Sequence, residues 1–354
     1  MGELTRLFAT TGLACVLALL LCRLVLSIGI VDRPDSERKA AVGHDKPTPS
    51  SGGLGFILAV LIAYFGLGTL TQFSVDITVL VLSAGMGASL LLGLADDITA
   101  MSAKVKLFLQ IIIALGMAMY GVRAEMIEPG FDKLRDFGLI GGTLLSVLWI
   151  VTIGNSVNFM DGANGLAMGM AMFASMAFSA IFGFCGAWEL AILSGGLAGA
   201  LAGFLVWNTP GRLFAGDAGS LAVGAALGGL SLLLVKLRPD LMFVPPILLS
   251  PFLVDVILTL NLRIKRGDMF WEAHSDHVYQ VALREVPIAH WQLSVGHWMI
   301  AANCAVLGFA GAMIGHEAPL VIFMGVVLMG VWMHIRIRRA AMMVGQMRAE
   351  AESG

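Results

Sequence analysis

Apolar residues run along this chain in blocks of about 20, divided by short polar breaks, and the blocks recur over its whole length. Eleven stand out, at about 7–28, 54–71, 77–95, 107–122, 139–154, 165–184, 189–207, 219–236, 243–260, 293–314 and 318–335. Each can cross a hydrocarbon core about 30 Å thick as a helix, and a helix leaves no backbone polar group unpaired in lipid. Gly, Ala and Ser recur inside the blocks, which lets neighbouring helices approach closely. The first block is too long for the core of a signal peptide and lacks a small-residue cleavage site, so it is expected to remain as a helix. The pattern predicts an all-α, polytopic transmembrane bundle of ten or eleven spans. Residues 1–354 are expected to form one membrane-embedded unit, with no linker, second domain or internal repeat.

Composition agrees. Of the 354 residues, 58% are apolar and 13% charged, and the mean hydropathy is +0.87. A water-facing globule could not hide that much apolar surface. The net charge of −2 points to no nucleic-acid partner. Cys15, Cys22, Cys185 and Cys304 lie in or beside apolar stretches without metal-ligand spacing, and read as small buried hydrophobes. The basic residues set the orientation. Fifteen lie in the odd-numbered connections and the C-terminal tail, against six in the N-terminus and even-numbered connections. By the positive-inside rule the odd connections are expected to be cytoplasmic.

The unusual polar clusters all fall in those odd connections. They are VDRPDSERKAAVGHDKPTPSSGG (31–53), GLADD (93–97) continuing to Lys104 and Lys106, GNSVNFMDGANG (154–165), WNTPGRLFAGDAGS (207–220) and AHSDHVYQ (273–280). Five clusters on one face predict a composite site in the cytoplasmic loops. Each also has a plainer reading. Asp96 and Asp97 could simply end a helix at the interface. As neighbours on a helix they would point about 100° apart, so different roles are expected. Asn155, Asn158, Asp161 and Asn164 recur every three residues, and with Gly162 and Gly165 they also suit a helix end and its turn.

Gly216-Asp217-Ala218-Gly219-Ser220 sets one carboxylate among glycines ahead of a helix, a place where backbone can approach a phosphate and Mg²⁺ can share its oxygens. His274 and His277 lack a third metal ligand nearby and suit phosphate hydrogen bonding better than zinc. Lys46 and Lys106 offer cations beside turns, or merely charge the membrane surface. Asp255, buried in the ninth block, is expected to pair with Arg263 eight residues on. This inventory suits metal-assisted chemistry on an anionic, phosphate-bearing substrate, and the membrane setting suggests that one substrate is a lipid.

Taken in order, HxKPTPxxGG (His44–Gly53), Asp96-Asp97, NxxNxxDGxxG (Asn155–Gly165), FAGDAGS (Phe214–Ser220) and HxxHxxQ (His274–Gln280) resemble the polyprenyl-phosphate N-acetylhexosamine-1-phosphate transferases. The resemblance spans about residues 30–285. The segment FLVDVILTLNLRIKRG ahead of AHSDHVYQ is similar to the O-antigen-initiating type, including enzymes that start chains with FucNAc or QuiNAc. The muramyl-pentapeptide branch instead carries a His-rich triplet at His274–His277.

The resemblance implies transfer of a sugar 1-phosphate from a UDP-N-acetylhexosamine to undecaprenyl phosphate, releasing UMP. It implies Mg²⁺, or Mn²⁺ in its place, in a multi-pass protein of a bacterial inner membrane that could form a homodimer. Asp217 would be the main metal ligand, with Asp97 as the second and Asp96 close to the metal and the lipid phosphate. Asn158 and Asp161 would face the diphosphate, and Asn208 and Phe214 the uracil. Lys46, Thr48, Lys106, Asn155, Asn164, His274 and His277 complete the substrate-facing set. Where many relatives carry Asp, this chain has Asn164, which can hydrogen-bond but supplies no negative charge. Two rivals stand beside this reading. A transporter would place its charges near the midplane in related halves, and a lipid-binding scaffold would leave the converging carboxylates and lysines unexplained.

Overall fold

Among the described residues, thirteen α-helices and one short hairpin make up the regular structure. The structure is a computed structural model, and it describes residues 2–28, 48–71, 75–130, 133–268 and 275–353. Lys46 and His274 lie outside the described residues. The first four helices are α1 (Glu3–Ile28), α2 (Gly52–Thr71), α3 (Ile77–Thr99) and α4 (Ala103–Met119). Strands β1 (Met126–Ile127) and β2 (Arg135–Asp136) then pair antiparallel, with Met126 opposite Asp136. Four long helices follow, α5 (Gly138–Met160), α6 (Leu166–Phe184), α7 (Trp188–Asn208) and α8 (Gly216–Leu237). A 3₁₀ turn at Pro239–Leu241 leads into α9 (Val244–Leu248) and α10 (Ser250–Arg266). The chain closes with α11 (Val278–Glu285), α12 (His290–Ile314) and α13 (Ala318–Ser353).

Each expected span meets a helix. Nine of the described helices are long and apolar enough to cross a membrane, or ten with the bent pair around Leu249. Three spans differ from expectation. The block at 107–122 is a 17-residue helix, and it begins at Ala103 because Ser102 caps it by accepting the Val105 N–H. The block at 243–260 is broken, its two parts meeting at 73°. Pro245, Pro246 and Pro251 lie around that break, and proline supplies no N–H and clashes with the preceding turn. The last helix does not stop near 335 but runs 36 residues to Ser353, about 54 Å, well beyond a bilayer core.

The bundle is built around α8. This helix is buried along its length and packs against α2, α3, α5 and α6. Its small residues permit that crowding, since van der Waals packing replaces the hydrophobic effect between helices in lipid. At its N-terminus the approach is closest: Gly93 of α3 lies against the backbone of Asp217 and Ala218, where any side chain would collide. Gly216, at φ +69°, starts the helix from a left-handed conformation that glycine adopts without strain. The segment before α2 docks on the same end. Phe214 N–H donates to Pro49 O (2.8 Å), Gly52 N–H to Phe214 O (2.9 Å) and Gly53 N–H to Ala215 O (3.0 Å).

Candidate active site

The last turn of α3, the first turn of α4, the last turns of α5 and the first turn of α8 converge at one end of the bundle. The carboxylates and amides therefore stand on helix ends and not, as expected, in the loops between spans. Helices need not stop where lipid does, because water then satisfies their polar side chains while the backbone stays paired.

Lys106 is the hub. Its ammonium lies 2.6 Å from Asp217 Oδ2 and 2.8 Å from Asp96 Oδ2. The other Asp217 oxygen accepts from Asn158 Nδ2 at 2.9 Å, and the same amide reaches Ser220 Oγ at 2.8 Å. Asp217 is buried, so each of these charge-assisted bonds acts in a medium of low polarity. Asp96 also accepts the Met101 N–H through Oδ1 (2.8 Å), which helps to close the turn after α3.

Asp97 does something else. Its Oδ1 accepts the Asp217 N–H (3.0 Å) and its Oδ2 the Ala218 N–H (3.2 Å). Those are first-turn donors of α8 that have no partner within their own helix. A carboxylate there is also favoured by the helix dipole. Asp97 thus caps α8 from another helix. A metal-binding role was expected for Asp97; here its two oxygens accept backbone N–H groups of the helix N-terminus.

Among the described residues, Asp96 and Asp217 around the one Lys106 ammonium leave a formal excess of negative charge. Among the described residues no group of three or more His, Cys, Asp or Glu could hold a metal ion. The protein offers instead two carboxylates, Asp96 and Asp217, that already converge on one cation, the Lys106 ammonium. Two carboxylates suit a hard divalent ion whose remaining ligands are water and phosphate oxygens.

The remaining expected residues divide. Asn155 Nδ2 donates to Gln110 Oε1 (2.7 Å) and Val151 O, tying α5 to α4. Asp161 is the half-buried residue just past α5. Asn164 is buried beyond that turn, against α12: its N–H faces His290 Nδ1 (3.4 Å), its carbonyl accepts Ser294 Oγ (2.6 Å), and its Oδ1 has no partner among the described residues. Asn208 spends both side-chain polar atoms on backbone, accepting Gly165 N–H (2.8 Å) and donating to Leu213 O (2.9 Å). It thus ties two turns together. Phe214 is half-buried, and Thr48 adjoins the Pro49 pairing. His277 is buried, with Nδ1 3.6 Å from Asp255 Oδ2, so it does not present that edge to a phosphate.

The expected Asp255–Arg263 pair does not form. Asp255 faces His277 and His334, while Arg263 Nη1 donates to Asp276 Oδ2 at 3.1 Å. Reading the sequence also missed Gln110, His290, Ser294 and Trp298. The last three recur every four residues, a stripe that a helical count could have found. Trp298 Nε1 donates to Gly165 O at 2.8 Å, clamping the turn from α12.

Fold and site together define a polytopic helical membrane protein with an acidic, lysine-bridged site at one end of its bundle. Comparison with known proteins gives the family. Residues 79–235, from α3 to the end of α8, match glycosyl transferase family 4. The phospho-N-acetylmuramoyl-pentapeptide-transferase of Streptomyces avermitilis is 32% identical over 314 residues, covering 74% of this chain and 83% of its own. The corresponding protein of Halalkalibacterium halodurans is 30% identical over 275 residues, covering 73% and 82%. The probable undecaprenyl-phosphate N-acetylglucosaminyl 1-phosphate transferase of Bacillus subtilis is 30% identical over 263 residues, covering 73% and 70%. The chain belongs to glycosyl transferase family 4, within its phosphosugar transferases.

Proposed function

We propose that this protein transfers an N-acetylhexosamine 1-phosphate from a UDP-sugar to undecaprenyl phosphate and releases UMP. The site would face the cytoplasm of a bacterial inner membrane, in keeping with the basic residues of the odd connections. The observation that carries the reading is the Lys106 ammonium held between Asp96 and Asp217 at the start of α8. In the transfer, an oxygen of the lipid phosphate attacks the sugar-bearing phosphorus, and the bond from that phosphorus to the bridging oxygen breaks. UMP leaves with the bridging oxygen.

A divalent cation, Mg²⁺ or alternatively Mn²⁺, held by Asp217 and Asp96 would neutralise phosphate charge. Lys106 offsets the repulsion between the two anionic substrates. Asn158 orients Asp217 by donating to its Oδ1, and Asp97 anchors the backbone that carries Asp217. No carboxylate needs to become a nucleophile. A phosphate monoester has a second pKa near ~6 and is already largely a dianion at neutral pH, whereas these carboxylates are engaged by cations and N–H donors.

Initiation of an O-antigen-type glycan is supported by His274-Ser275-Asp276-His277 standing in place of a His triplet. The identity to phospho-N-acetylmuramoyl-pentapeptide transferases favours a second donor, UDP-N-acetylmuramoyl-pentapeptide. The test is UMP release by purified protein across a panel of UDP-N-acetyl sugars and that pentapeptide donor, each with and without undecaprenyl phosphate. Lipid-dependent release from one class of donor is expected and identifies it. Release from none of them would refute the proposal.

A further inference from the structure

The last carbonyls of α5 have no partner within their own helix. One of them, Asn158 O, takes the Asp161 N–H (3.2 Å). The next, Phe159 O, accepts the Tyr279 hydroxyl at 2.9 Å, although Tyr279 stands 120 residues further along the chain, in the first turn of α11. Tyr279 is buried, and its ring stacks on His277 with centroids 6.0 Å apart and planes at 19°. The backbone that carries it is anchored as well. Val278 N–H donates to Asp255 Oδ1 (3.0 Å) and Arg338 Nη1 donates to Asp276 O (2.7 Å), so α10 and α13 both hold the entry to α11. Gly162 meets the same hydroxyl. It does not adopt a left-handed φ, so backbone conformation does not demand a glycine there. A Cβ at that place would nevertheless collide with Tyr279 Oη and stand 3.1 Å from Cζ.

We propose that Tyr279 is a positioning residue for the transfer site, and that position 162 is a glycine in order to admit its hydroxyl. The hydroxyl closes the C-terminal end of α5 and fixes the turn that follows. Asn158, one residue before Phe159, donates to Asp217 Oδ1 and to Ser220 Oγ, and Asp161 lies two residues after it. A shift in the last turn of α5 would carry the Asn158 amide away from Asp217. The bond from Tyr279 opposes that shift, because a polar group taken out of water and left unpaired destabilises the arrangement that strands it. Tyr279 and Gly162 are thus two halves of one contact, which locks the start of α11 onto the Asn155–Gly165 segment. The inference rests on the Asp217 cluster being the transfer site.

Two substitutions break the contact from opposite sides. Tyr279→Phe removes the hydroxyl and keeps the ring, whereas Gly162→Ala fills the space that the hydroxyl occupies. Hydrogen–deuterium exchange on the full-length protein in nanodiscs reads the contact without any substrate. Each variant is expected to speed exchange of the 160–165 amides roughly tenfold. The double variant should exchange no faster than Gly162→Ala alone, because both changes break the same bond. Where UMP release is measurable, Tyr279→Phe should lower kcat about tenfold and leave KM for undecaprenyl phosphate within about twofold. It should also raise the Mg²⁺ concentration for half-maximal turnover about threefold, through Asn158 and Asp217. Mere loss of folded protein would lower kcat without moving that Mg²⁺ dependence. Wild-type exchange in Tyr279→Phe, losses that add in the double variant, or a lower kcat with unchanged Mg²⁺ dependence would each overturn the proposal. An inactive wild-type protein would count against the transfer reaction alone, since the exchange contrast still reports on the contact.

Discussion

Replacing Asp97 by alanine removes the acceptors of two backbone N–H groups at the start of α8, those of Asp217 and Ala218. A hydrogen bond to a charged group contributes about 1.5–3 kcal/mol, and a donor stranded in a buried place costs about 1–3 kcal/mol. The lost carboxylate also gives up about 0.3–1 kcal/mol of interaction with the helix dipole. Because this helix end lies at the edge of the bundle, water can recover part of the loss, so about 3 kcal/mol is a reasonable total. Asp97→Asn keeps one acceptor and should lose about 1 kcal/mol. The assay is apparent Tm in detergent with EDTA present, paired with turnover across a Mg²⁺ titration. A cap predicts a drop of roughly 5 °C for Asp97→Ala, a smaller one for Asp97→Asn, and activity that added Mg²⁺ does not restore. An unchanged Tm in EDTA, together with recovery of Asp97→Asn at about tenfold higher Mg²⁺, would refute the cap and return Asp97 to the metal.

Asp217→Asn should lose at least about 10³-fold in kcat, since an amide holds neither Lys106 nor a hard cation well; near-normal turnover at ordinary Mg²⁺ would remove Asp217 from the site. Labelled UMP should not exchange into UDP-sugar when rigorously delipidated enzyme is incubated without undecaprenyl phosphate, and exchange at a rate comparable to turnover would establish a covalent phosphosugar-enzyme instead. At the other end of α3, Asp76 accepts the Thr78 amide (2.7 Å) and hydroxyl. The Thr78 hydroxyl, and then its amide, hold this carboxyl below its usual range. Its capping contribution is therefore present above about pH 4 and fades as acidification protonates it. Asp76→Ala should cost about 1 kcal/mol of stability at neutral pH with KM unchanged, and a matching loss at pH 3 would contradict the cap.

Hydropathy was enough to give a polytopic helical bundle, because each span is a local property of about twenty consecutive residues. Gathering the polar clusters into odd-numbered connections also anticipated that Asp96, Lys106, Asn158 and Asp217 would meet at one end. The prolines behind the break at Leu249 were visible too, but a run of apolar residues reads as one span whether or not it bends. The same limit hid the length of α13, since the criterion for crossing lipid says nothing about where a helix stops in water.

Partner choice was not legible, and for one reason. Lys106 and Asp217 stand 111 residues apart, and Asp97 and the Ala218 amide 121 apart, so spacing along the chain carries no information about their pairing. The sequence could say that adjacent aspartates point in different directions. Only the close approach of Gly93 to α8 decides that Asp97 meets a helix N-terminus while Asp96 meets a lysine. Asp255 shows the same limit in reverse: counting along its own helix pointed to Arg263, but the packing of α11 and α13 brings two histidines nearer. What the sequence alone determined is which residues are too polar to face lipid and that they gather at one end of the bundle. Which of them touch was decided by the packing of helices distant in the chain, because hydrogen bonds and ion pairs act over a few ångströms of space and not over intervals of sequence.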